Sequence, residues 1–293
     1  PFTMPDGTRV DVPGDFNYTR DDEGAVYMYA EGDTSVKPRA KMSGGGYFFD
    51  AIDIGNTADY SNLDAADNIE EFTVLSAKQV EFFAMQAKKY YNETDYGIYM
   101  TLPGMAFGDI ALVPAPWMKR PRGIRGVEEL YLATLAYPDY VRQVFEKQCD
   151  IALKNIELLA KAVGDMVQVV FVSGTDFGTQ SGLFSSPETY RDLFKPFQKA
   201  VNDKIHELTG WKVFIHTCGA IREIIPDLIE AGFDILNPVQ ISAAGMDPQQ
   251  LKDEFGKDIV IWGGGVNTQK TLPFGTPDEV YREVRRNIEI FSP

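Results

Sequence analysis

Histidine and cysteine are nearly missing from this chain, with two of each in 293 residues. So few cysteines cannot build a disulfide framework, which points to a reducing, cytoplasmic setting. Positive charge is also short: 28 Lys and Arg stand against 43 Asp and Glu, a net charge of −15. A nucleic-acid backbone or an anionic membrane surface needs the opposite balance, so neither is expected as a partner. No apolar run reaches the length of about 18 residues that a membrane-spanning helix requires. The opening PFTMPDGTRV has no charged segment followed by an apolar stretch, as a secretory signal would. Short-period repeats and low-complexity tracts are absent too. The chain starts at Pro1 and stops at FSP, which suggests that both ends are trimmed.

Apolar residues make up 44 %, enough for a sizeable core. Residues 1–72 are rich in Asp, Gly, Pro and Tyr. DDEGAVYMYAEGD reads as turn, short alternating strand, turn, and SGGGYFFD as a flexible loop. This predicts a β-hairpin and loop layer packed on the rest. Over 73–293 the pattern changes to short apolar strands alternating with amphipathic helices. GIYMTL, VQVVFVS, KVFIH, FDILNP and DIVIWGG read as the strands. Helices follow or precede each, with a break at Pro138, and Ser186 and Pro187 at the start of another. Strict alternation implies a parallel sheet covered by helices: a (β/α)8 barrel or an open doubly wound sheet.

Polar residues collect just past the carboxyl ends of the strands, where both folds place ligands. Asp176 and Gln180 follow VVFVS, and His216 and Cys218 end KVFIHTC. Asn237 and Gln240 follow FDIL, and Asn267 and Gln269 follow the glycines of WGGGVNTQ. Residues two apart on an extended chain point the same way, so His216 and Cys218 can supply two corners of a tetrahedral zinc site. The alternative is a buried thiol beside a hydrogen-bonded imidazole. Asp176 can orient substrate, bind metal or act as a base, or else close an Asx turn. Asn237 and Gln240 offer amide donors to a pocket, or stabilise a proline turn. WGGGVNTQ matches no phosphate-binding loop, and its glycines suit close approach of backbone to a ligand. Arg120, Arg122 and Arg125 form the one basic cluster, either a carboxylate clamp or a solvated loop. Cys149 lies on an apolar helix stripe and is expected in the core. His206 is expected on a solvated or half-buried helix face.

The segments TDFGTQSGLFSSPETYRDLFKP, HTCGAIREIIPDLIEAGFDILNPVQISAAGMDPQQLKDEFG and WGGGVNTQKTLPFGTPDEV resemble the uroporphyrinogen decarboxylase superfamily. More closely, they resemble its branch of cobamide-dependent methyltransferase-like proteins, over about residues 120–291. The resemblance implies a (β/α)8 TIM barrel forming a single domain, with residues 1–72 packed on it. It also implies zinc bound by His216 and Cys218, which match the H-x-C pair of the methyltransferases that decarboxylases lack. The implied activity is methyl transfer between a methylated corrinoid and a thiol or related acceptor. The corrinoid would come in trans on a separate corrinoid protein, because no D-x-H-x-x-G motif occurs here. Asp176 would act at the reacting centre, and Gln180, Asn237, Gln240, Asn267, Gln269, Arg122 and Arg125 would bind substrate. Two departures stand out. The methyltransferases use a later cysteine as third zinc ligand, and none follows Cys218, so that ligand lies beyond Pro293 or is another residue such as Asp176. The aspartate of the decarboxylases has no convincing counterpart in residues 1–100. The rival readings are a tetrapyrrole decarboxylase, with Arg120, Arg122 and Arg125 on propionates, and a non-catalytic tetrapyrrole-binding barrel.

Overall fold

The computed structural model describes residues 1–52, 57–109 and 115–292, and its backbone falls into two compact units. One comprises residues 1–68 and 110–133; the other comprises 69–109 and 134–293.

The first unit is antiparallel. β1 (Phe2–Thr3) pairs with β2 (Arg9–Val10). A four-stranded sheet runs in the order β3 (Tyr18–Arg20), β4 (Val26–Met28), β5 (Ala40–Met42), β6 (Asp50–Ala51). The expected alternating strand is β4. Asp21 turns the chain into it, its Oδ1 accepting the Glu23 and Ala25 N–H groups at 3.0 and 2.9 Å. Strands β5 and β6, on either side of the glycine loop, go beyond the hairpin anticipated. Phe2, Val26 and Met42 are buried together, with Phe16 and Phe49 packed against them. Arg125 is also buried, its guanidinium donating to the carbonyls of Arg122 and Asp67 at 2.7 and 2.8 Å.

The second unit holds a five-stranded sheet, all parallel. Its strands are β7 (Tyr99–Thr101), β8 (Val169–Ser173), β9 (Lys212–His216), β10 (Ile235–Asn237) and β11 (Val260–Ile261). They lie side by side in chain order, as serial strand–helix units dictate. The parallel α/β arrangement is as expected, but the closed eight-stranded barrel is not present: among the described residues, β7 and β11 remain open edges. Closure needs enough strands for tilt and stagger to bring first and last together, and five do not suffice.

In the chain, α1 (Ala77–Glu93) precedes β7; α2 (Val127–Ala136) and α3 (Pro138–Val163) separate β7 from β8; α4 (Pro187–Thr189) and α5 (Lys195–Leu208) separate β8 from β9; α6 (Ile225–Glu230) separates β9 from β10; α7 (Pro248–Phe255) separates β10 from β11; and α8 (Thr271–Phe274) and α9 (Pro277–Phe291) follow β11. Their starts follow from local chemistry. Ser76 with Gln79, and Thr276 with Glu279, close reciprocal caps, while Ser186 and Asp247 each cap a helix that opens on proline. Alternation along the strands gives the sheet two faces. Val170, Val172, Val213, Ile215 and Leu236 are buried. On the other face the rings of Tyr99, Phe171 and Trp262 gather round Phe214, with centroids 5.3, 5.9 and 5.7 Å from it. His216, two residues on from Phe214, shares that face. Cys149 is buried on α3, where burial pushes its thiol up to about 11. His206 is partly exposed and bonds Asp234 at 2.8 Å. No helix among the described residues is long and apolar enough to cross a membrane.

A π turn over Tyr190–Phe194 joins α4 to α5 and carries Arg191 toward Asp227 on α6. The buried Asp227 accepts from Arg191 Nε at 3.0 Å and Lys195 Nζ at 2.8 Å. Burial alone would raise its pKa, but these two cations outweigh that and hold the carboxyl below its ordinary value of 3.8. Asp227→Asn is expected to cost about 2 kcal/mol at neutral pH, because two cations lose their shared partner. A folded pKa below the unfolded one stabilises above 3.8, and the benefit fades as the pH falls through the lower folded value. Urea unfolding should therefore show the full difference between the proteins at pH 7 and a shrinking one as the pH is lowered below 3.8.

Candidate metal centre

β9 and β10 are in register, with His216 beside Asn237 at their carboxyl ends. Their side chains meet: His216 Nδ1 lies 2.6 Å from Asn237 Oδ1. The direction of that bond follows from the next one. Asn237 Nδ2 donates to the Trp262 carbonyl at 2.8 Å, so the amide oxygen faces the imidazole. In the neutral imidazole Nδ1 then carries the proton and Nε2 the lone pair. Nε2 is 3.4 Å from Cys218 Sγ. The H-x-C spacing thus puts an imidazole nitrogen and a sulfur side by side, within reach of an S–H···N hydrogen bond.

The loop after β8 closes on this pair. Asp176 Oδ1 accepts the Cys218 N–H at 2.7 Å, and Thr217 Oγ1 accepts the Phe177 N–H at 3.0 Å. Ala220 N–H donates to the Thr179 carbonyl at 2.7 Å. Two glycines make this approach possible. Gly219 has φ +93°, and a Cβ there would stand 2.2 Å from the Gly178 carbonyl carbon. Asp176, His216 and Cys218 each present one ligand atom, and the three atoms all lie within 4.8 Å of one another.

The set suits zinc. A tetrahedral ion with ordinary Zn–S and Zn–N bonds separates sulfur from nitrogen by roughly 3.5 Å. The 3.4 Å between Sγ and Nε2 matches that edge. One sulfur, one imidazole and one carboxylate form a borderline-soft set, and three protein ligands leave a fourth position open. Burial, and then the neighbouring Asp176 carboxylate, push the Cys218 thiol up to about 12. A cation between sulfur and carboxylate would reverse that preference. Replacing Asn237 by alanine removes the group that orients His216. It should weaken metal binding about 10- to 100-fold with the fold intact, as read by competition with a chelating dye and by circular dichroism.

The other expected residues are spread out. Gln240 Oε1 accepts the Gly219 N–H at 2.9 Å, and Gln240 and Gln269 line a cavity of about 420 Å³ that includes Cys218. Asn267 instead organises its own turn, its Oδ1 accepting the Gln269 and Lys270 N–H groups at 2.9 and 3.0 Å. Gln180 is exposed, and its carbonyl accepts the Ala244 N–H. Arg122 and Arg125 belong to the first unit, where Arg122 pairs with Asp67 at 2.9 Å. Thr217, Gly178 and the Trp262 carbonyl also shape the site, and no local motif marks them in the sequence.

The parallel strand–helix series and the polar cluster at the strand ends define an α/β protein with its site where such sheets bind ligands. The family model described as Uroporphyrinogen decarboxylase (URO-D) matches residues 110–293, more than half of the chain, and the chain belongs to that family. Among solved structures it is similar to a "methyltransferase from Methanosarcina mazei", at 14 % identity and a TM-score of 0.55. That match covers 85 % of this chain and spans 66 % of the other, and it is a likeness of fold. No curated protein matches.

Proposed function

We propose that this protein is a zinc-dependent methyltransferase that moves a methyl group between a methylated corrinoid and a thiol or related acceptor. The observation that carries the reading is the donor set of Asp176, His216 and Cys218 at the carboxyl end of the sheet. Family membership supports it, as does the H-x-C pair, which resembles that of the methyltransferase branch. The structural neighbour bears the name methyltransferase.

When bound, zinc supplies the charge that keeps a coordinated thiol deprotonated while its sulfur remains nucleophilic. A free thiol, with a pKa of about 8.5, is mostly protonated at neutral pH. Nε2 of His216, Sγ of Cys218 and a carboxylate oxygen of Asp176 would hold the ion. Asn237 keeps His216 in the tautomer that leaves Nε2 bare. The Cys218 N–H orients Asp176, and the Gly219 N–H orients Gln240 in the cavity wall. The acceptor would occupy that cavity, and the corrinoid would be presented in trans by a separate corrinoid protein.

The test is elemental analysis of purified protein together with methyl transfer from methylcobalamin to a small thiol. About one zinc per chain and thiol methylation are expected. Metal-free protein that decarboxylates uroporphyrinogen would replace this reading with the decarboxylase one.

A further inference from the structure

The cavity beside Cys218 has proline, valine and glycine walls, with polar groups from Gln240, Thr268 and Gln269. Among the described residues that line it, none is charged. Gln240 spends its amide oxygen on the Gly219 N–H, which leaves its NH₂ as a donor.

We infer that the acceptor is a small thiol with an uncharged, hydrogen-bonding tail, and that the cavity discriminates against anionic thiols. The inference rests on the zinc reading above and adds the acceptor's chemistry to it. The Cys218 thiolate and the Asp176 carboxylate together balance the double charge of zinc. An acceptor thiolate then makes the centre an anion. A sulfonate or carboxylate on the same molecule would add a second negative charge in a cavity with no cation among its described lining residues, inside a chain of net charge −15. A hydroxyl or amide tail instead meets the free NH₂ of the Gln240 amide.

Cobalt(II) in place of zinc makes binding visible without the methyl donor. The full chain is loaded with cobalt and titrated with 2-mercaptoethanol or 2-mercaptoethanesulfonate, compared at equal thiolate concentration. The sulfur-to-cobalt charge-transfer band is the readout. The neutral thiol is expected to bind about tenfold or more tightly than the sulfonate. Gln269→Lys, a change at an exposed position, is expected to bring the two within about threefold by supplying the missing cation. Sulfonate binding as tight as the neutral thiol, or a ratio unmoved by Gln269→Lys, overturns the inference. Failure to form a thiolate-ligated cobalt centre before any thiol is added overturns the metal reading, and this inference with it.

Discussion

Cys218→Ala is expected to lower zinc affinity by about a thousandfold or more, so that the protein purifies with almost no metal. Methyl transfer to a thiol should fall by a similar factor. The size of the effect follows from what is lost. Cys218 contributes the one sulfur of the donor set, and the remaining nitrogen and oxygen hold zinc only weakly without it. Cys149→Ala is the matched control. That thiol is buried on α3 among apolar neighbours, so its loss should cost about 1 kcal/mol of packing and leave metal content unchanged. Equal zinc in the Cys218 variant and the parent protein would mean that the metal, if any, sits elsewhere.

Gly219→Ala should be nearly as damaging, through the backbone. At φ +93° any residue with a Cβ is strained, and here the new carbon would also meet Gly178 at 2.2 Å. Backbone cannot move aside as a flexible side chain can, so the loops after β8 and β9 must part. Their separation would break the Cys218 N–H bond to Asp176 and the Ala220 N–H bond to Thr179. A loss of about 3 kcal/mol or more in urea unfolding is expected, together with loss of zinc. Gly210→Ala provides the comparison: nothing lies within 4 Å of a Cβ there, and the change should be close to neutral. If Gly219→Ala instead keeps both stability and metal, the clasp between the two loops does not hold Asp176 in place.

The sequence made the scaffold of the site legible where local chemistry decides it. The apolar run KVFIH became β9 with the same bounds, and Ser186, Asp247 and Thr276 cap helices as side chains of their kind do. Past His216 the H-x-C pair kept its spacing and faces one neighbourhood. What depends on contacts between distant segments was less readable. The pairing of Asn237 with His216 exists because β9 and β10 are neighbours in register, which no local pattern encodes. Asp176 reaches the pair only through the crossing of Gly178 and Gly219. Strands of two or three residues, such as β5 and β6, are too short to show alternation, so the four-stranded sheet looked like a hairpin and a loop. The π turn before α5 disturbs the helical period without any breaker residue inside it. Sheet closure is a property of the whole strand set, and five units in series leave β7 and β11 as edges among the described residues.

X-ray absorption at the zinc edge on the purified chain addresses the central claim most directly. One sulfur at about 2.3 Å is expected, with the remaining nearest neighbours nitrogen or oxygen at about 2.0–2.2 Å and the sulfur signal gone in Cys218→Ala. Zinc without any sulfur neighbour, or a shell unchanged by that substitution, would contradict it.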